Sequence, residues 1–221
     1  MSMGMTSAPR VAAKDVPSWR LVAMMTLAGA LAGLLIASTY ELTLPRIERH
    51  QAETMAAAIQ EVLKGPARYD TLYAHGGTLV KRLPAGADAK KAERIFLGYD
   101  ARGRRVGFAV STAGVGFQDP MTVMFGYDAA KREVIAMRVI ASKETPGLGD
   151  KIVKDSAFVA EFSRVRTPIN GVKKDRATGA ADEVTMITGA TVSSRAVIRI
   201  INDAVAHWQP LMDAYREDPT S

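Results

Sequence analysis

The chain has 221 residues, a formal charge of +6 and no cysteine, enough for one domain plus an accessory segment. Without cysteine the chain supplies no disulfide, no thiolate zinc site and no ligand for an iron–sulfur cluster, and His50, His75 and His207 are too scattered for a haem or histidine-rich metal site, so any electron handling would fall to an organic cofactor. The basic residues alternate with acids, as in Lys90-Lys91-Ala92-Glu93-Arg94, which describes a solvated surface and argues against a nucleic-acid interface.

Residues 1–18 read as a disordered tail. Residues 21–40 are an uncharged run, LVAMMTLAGALAGLLIASTY. At about 1.5 Å per residue a helix of that length spans roughly 30 Å, the thickness of the hydrocarbon core. Trp19 and Tyr40 stand at its ends, where aromatic rings favour the interface. Arg10, Lys14 and Arg20 precede the run against Asp15, and no positive excess follows it. The N-terminus is therefore expected in the cytoplasm and residues 41–221 on the far side. A cleaved signal peptide is the competing reading, but the run is long and no convincing small-residue cleavage site follows. Gly29, Ala30, Ala32 and Gly33 offer a surface to another membrane helix, although small residues are also common in lone anchors. The expected division is a cytoplasmic tail (1–18), a transmembrane helix (19–41), a linking helix (42–65) and an exported domain (66–221).

Residues 45–64 have helical spacing, with Ile47, Met55, Ile59, Val62 and Leu63 on the apolar side and Gly65-Pro66 closing the pattern. Residues 66–92 are weakly patterned, with turns at Gly76-Gly77 and Pro84-Ala85-Gly86. Two hairpins follow: 94–99 with 105–111 around Asp100-Ala101-Arg102-Gly103, and 122–127 with 133–141 around Asp128-Ala129-Ala130-Lys131. A short helix is predicted over 155–163, with Phe158, Val159 and Phe162 inward, then a polar loop over 173–182 and a strand over 183–188. The closing helix is predicted over 193–215, burying Val197, Ile200, Ile201, Ala204, Val205 and Trp208. An antiparallel sheet flanked by segregated helices makes the domain α+β.

Two segments carry chemistry. In Thr188-Gly189-Ala190-Thr191-Val192-Ser193-Ser194, Gly189 and Ala190 are small enough for a bulky group to approach the backbone. Thr191, Ser193 and Ser194 place hydroxyls where N-cap residues sit, and a helix N-terminus attracts anions, phosphate above all. From these residues alone the segment is either a phosphate site or a strand–turn–helix with an ordinary Ser/Thr cap. In Glu144-Thr145-Pro146-Gly147-Leu148-Gly149, Pro146-Gly147 forces a turn and two glycines bare backbone N–H groups, as in a ligand-contacting loop or a plain turn.

Together the two segments resemble one family: the FMN-binding G subunit of the Rnf (also called Rsx) electron transport complex, whose domain is shared by the C subunit of the sodium-pumping NADH:quinone reductase. The resemblance covers essentially the whole chain. It implies an electron-carrier subunit, single-pass in a bacterial inner membrane, of a complex that couples electron transfer between ferredoxin and NAD to ion translocation. It further implies covalent FMN on Thr191 as a phosphodiester. Thr188, Gly189, Ala190, Ser193 and Ser194 would surround it, within a signature read by a periplasmic flavin transferase. Glu144, Thr145, Gly147, Leu148 and Gly149 would form the loop beside the isoalloxazine, with Gly114-Val115-Gly116-Phe117 nearby. Other membrane and peripheral subunits would be the partners. Thr185 stands where the family commonly has aspartate, and Gln118-Asp119 where glycines are expected. No catalytic side chain and no metal ligand is expected of such a carrier. Competing readings are the quinone-reductase subunit and an anchored assembly module without cofactor. A hydrolase using Ser193 or Ser194 lacks both a Gly-x-Ser-x-Gly elbow and a histidine with a recognisable partner.

Overall fold

A computed structural model describes residues 17–89, 91–117, 119–142 and 149–216, and the chain divides into two compact units, Met1–Gln51 and Ala52–Ser221. Helix α1 (Ser18–Val62) runs through the division and contains Pro45. Pro45 has no N–H to give the carbonyl four residues back. In the first unit α1 is exposed, Leu27, Leu35 and Ile36 included, and it is the one helix among the described residues long and apolar enough to cross a membrane.

The second unit is built on a seven-stranded sheet. Its strands are β1 (Arg68–His75), β2 (Thr78–Val80), β3 (Arg94–Tyr99), β4 (Arg105–Val115), β5 (Pro120–Asp128), β6 (Glu133–Ala141) and β7 (Val165–Arg166), in spatial order β2-β1-β3-β4-β5-β6-β7. Every neighbouring pair is antiparallel. Period-two alternation sends Ile95 and Leu97 of β3, and Met121, Val123 and Phe125 of β5, to the face that packs on helix α4 (Thr191–Ala214). The opposite face presents Phe96, Ala109 and Met124 to Ala58, Ile59, Val62 and Leu63 at the end of α1. Close approach on that face requires bare backbone: a side chain on Gly126 would collide with the Val62 carbonyl, and one on Gly98 would meet Leu63 Cδ1 at 2.5 Å.

The two central hairpins fall where the alternation and turn signals predict them. The weakly patterned stretch after Pro66 is a third hairpin, β1 with β2, turning at Gly76-Gly77. Two short helices, α2 (Lys151–Lys154) and α3 (Ser156–Glu161), follow the sheet, and Asp155 caps α3 by accepting from Ala157 N and Phe158 N. Strand β8 (Asn170–Val172) pairs in parallel with β9 (Glu183–Thr185). The strand predicted over 183–188 is thus three residues long, and the rest of it belongs to a turn.

Candidate functional site: the turn into helix α4

After β9 the chain makes one more ladder bond, from Met186 N to Val172 O at 2.8 Å. Gly189 then adopts φ +83°, a conformation that costs residues with a Cβ. Ala190 N closes on Ile187 O at 3.0 Å, and α4 begins at Thr191 with Ala190 as its N-cap. Ser194 ties the turn together: its Oγ accepts from Ile187 N at 3.1 Å and donates to Ala190 O at 2.9 Å.

This geometry corrects the expected cap. The hydroxyls of Thr191, Ser193 and Ser194 lie inside the first turn of the helix, which starts two residues earlier than the sequence pattern suggests. The N-cap residue is Ala190, directly after the positive-φ Gly189, and it has no side-chain group to cap the N-terminus. Ser193 and Ser194 are buried beneath the helix. Thr191 is half-buried, and its Oγ1 makes a long bond to Ile187 O at 3.4 Å. Thr188 and Gly189 are exposed, and Val192 is 53% exposed.

Helix α2 reaches the same turn from another part of the chain. Lys151 Nζ stands 3.7 Å from where a side chain on Gly189 would begin. Beside it lies a cleft of about 710 Å³ whose lining includes Lys151, Lys154, Lys174, Glu161 and Thr188. Thr185, at the position where an aspartate was expected, gives its backbone N–H to the Glu161 carboxylate. Neither Lys151 nor Glu161 carries a motif signal, because both arrive through tertiary packing. Just beyond the polar loop that leads to β9, the Glu183 carboxylate accepts from Thr178 N, Thr178 Oγ1 and Gly179 N, which holds its pKa below the ordinary carboxylate value.

The Gly114–Phe117 segment ends β4 and enters a tight hairpin in which Gly116 N bonds Asp119 O at 2.9 Å. Gly114 lets Ile200 of α4 approach; a Cβ there would stand 2.5 Å from Ile200 Cγ1. Arg199 Nη2 donates to Val115 O at 2.6 Å, so this hairpin is fixed against α4. Val115 and Phe117 remain 65% and 58% exposed. Gly149 is described and buried, whereas Glu144, Thr145, Gly147 and Leu148 lie outside the described residues, as does Gln118.

The donor set around the turn fits an anionic phosphate ester. It offers an N-terminus without a side-chain cap on a helix of 24 residues, a hydroxyl at the first helical position, and an ammonium group beside a bare α-carbon. Val115, Phe117 and Val192 are exposed apolar side chains.

Comparison with known proteins identifies the family. Residues 116–206 match the FMN-binding domain family, a span that runs from the β4–β5 hairpin through most of α4. The G subunit of the ion-translocating oxidoreductase complex of Pseudoalteromonas atlantica is 30% identical, over 81% of this chain and 83% of that protein. Its counterpart from Methanosarcina acetivorans is 27% identical, over 84% of this chain and 92% of that protein. The G subunit of the Na(+)-translocating ferredoxin:NAD(+) oxidoreductase complex of Acetobacterium woodii is 27% identical over 87% and 92%. Among solved structures, NqrC of Shewanella oneidensis superimposes with TM-score 0.52 at 16% identity, covering 69% of this chain and 82% of that one. The C subunit of the Na(+)-translocating NADH-quinone reductase of Parabacteroides distasonis gives 0.53 at 19% identity, covering 68% and 80%; these two establish a shared α+β fold. With its FMN-binding domain and near full-length match, the chain belongs to the G-subunit family of ion-translocating oxidoreductase complexes.

Proposed function

We propose that this chain is the membrane-anchored electron carrier of an Rnf-type complex that links ferredoxin and NAD, and that it carries FMN through a phosphodiester on Thr191. The observation that carries the reading is the turn into α4. Gly189 at φ +83° and the alanine N-cap leave the helix N-terminus without a side-chain cap and put Thr191 at its first position. An anion beside such a terminus gains about 0.3–1 kcal/mol.

Attachment is a phosphoryl transfer. Thr191 Oγ forms a bond to the phosphorus of a flavin phosphate activated as an anhydride, such as a flavin dinucleotide. The anhydride P–O bond breaks, the nucleotide monophosphate leaves, and the hydroxyl proton passes to the flavin transferase. Once bound, the flavin supplies one- and two-electron chemistry. The chain's own residues hold it: Gly189 and Ala190 give backbone access, Thr188, Ser193 and Ser194 shape the turn, and Gly149 with the preceding loop from Glu144 to Leu148 flanks the ring. Helix α1 anchors the domain, with the Arg10, Lys14 and Arg20 side in the cytoplasm and the domain in the periplasm. Its apolar stretch has no charged side chain to serve an ion path, so translocation belongs to partner subunits.

The test is flavin fluorescence of the denatured protein band after expression with and without a flavin transferase. Fluorescence that requires the transferase and disappears completely in Thr191→Ala is the expected result. A dark wild-type band, or a fluorescent T191A band, would overturn the assignment.

A further inference from the structure

We propose that Lys151 is a positioning residue for the phosphate: its ammonium group holds the phosphate ester at the Gly189 turn while and after it is joined to Thr191. This rests on the reading of Thr191 given above.

Three observations carry it. The first is place. Lys151 Nζ is 3.7 Å from the missing Cβ of Gly189, and among the described residues no other atom outside the immediate chain neighbours comes within 4 Å of that point. The α-carbon of Gly189 is thus open on one side to solvent and on the other to a single cation. The second is charge. Lys154, one helical turn on, is held by Asp150 at 2.5 Å, whereas Lys151 is half-buried and has no carboxylate partner among the described residues. The third is the commitment of the neighbouring acids. Asp155 accepts from Ala157 N and Phe158 N, and Glu161 accepts from Thr185 N. The two carboxylates lining the cleft already serve backbone N–H groups, and Lys151 and Lys174 add positive charge to the same cleft.

A phosphate arriving at Thr191 therefore meets two positive features of different origin, the first turn of α4 and the Lys151 ammonium from α2. A lysine suits this task because its compact charge sits on a flexible stem and follows the phosphate as the ester forms. The contact is electrostatic and partly open to water, so salt should screen it, with a Debye length near 10 Å at 0.1 M.

The experiment uses the full chain co-incubated with a flavin transferase and flavin dinucleotide, with loading followed by intact mass. Lys151→Gln and Lys151→Arg are compared with wild type and Thr191→Ala at low and high salt, and thermal midpoints are recorded. Gln removes the charge and keeps part of the stem, and Arg keeps the charge, so the thermal midpoints and the comparison with Arg separate a folding defect from a charge effect. The expected result is loading about tenfold slower in K151Q, recovery in K151R, and a rate that falls with salt more steeply in wild type than in K151Q. If K151Q loads at the wild-type rate with the wild-type salt dependence, Lys151 has no such role even though Thr191 remains the attachment point. If T191A loads, or if wild type never loads, the Thr191 reading fails first and takes this one with it.

Discussion

Tyr127 is fully buried at the end of β5, and its hydroxyl donates to Gln209 Oε1 at 2.5 Å and shares a 3.0 Å bond with Thr167 Oγ1. Gln209 passes the network on to Ala129 O and to Asp213, which also faces Arg132. Burial raises the Tyr127 pKa above that of a free phenol, outweighing the opposing bond from Thr167 and the charge of Arg132. Because the folded state keeps this proton more tightly than the unfolded chain, the stabilisation is complete below the unfolded pKa, about 10, and is lost as pH rises through the higher folded value. Replacing Tyr127 by Phe should cost about 1–3 kcal/mol by leaving the buried Gln209 oxygen unpaired. It should also flatten the fall in stability above about pH 10, checked by urea unfolding across an alkaline pH series. A Phe variant with an unchanged midpoint and unchanged alkaline limb would show that the network carries no weight.

At the scale of elements, α1 ends in an unusual way. Gly65 N reaches Gln60 O at 2.8 Å and Lys64 N reaches Glu61 O at 3.1 Å, so Lys64 takes the left-handed position, with φ 56°, that glycine normally fills. Lys64→Gly should raise stability by about 1 kcal/mol, less the weak exposed bond from Lys64 Nζ to Ser163 Oγ; a lowered melting midpoint would refute this. The strands β3 to β6 were legible because their apolar residues alternate and the turn signals Asp100-Ala101-Arg102-Gly103 and Asp128-Ala129-Ala130-Lys131 close their two hairpins. The β1–β2 hairpin was not, because β1 mixes Arg68, Asp70 and His75 among its aromatics and has only one fully buried side chain, Leu72. Its identity comes from pairing with β3, a long-range fact. The same division holds at the site. Small residues and hydroxyls at 188–194 signal a turn into a helix, but which residue caps it depends on the φ of Gly189. The approach of Lys151 depends on how α2 packs, and no local pattern reports that.

For the whole molecule, the compact unit starts at Ala52 and takes the last turns of α1 into its core. A chain truncated to begin at Pro66 would lose Ala58, Ile59, Val62 and Leu63, all at most 1% exposed. At about 1.5–3 kcal/mol for each large side chain, that approaches the 5–15 kcal/mol total stability of a typical domain. A chain beginning at Ala52 should unfold cooperatively on heating, and one beginning at Pro66 should show no transition; equal midpoints for the two would contradict the packing seen here. The Ser194 hydroxyl has a bearing on assembly order. It closes the segment from Ile187 to Ser194 with atoms of this chain alone, so the entropy of shaping the proposed acceptor is lost during folding and none of it is left for the encounter with the flavin transferase proposed to modify it. Maturation then has a direction. Under the attachment proposed for Thr191, the domain folds first and only a finished domain presents its threonine in a form worth recognising, which would guard against cofactor being spent on chains that never reach the native state.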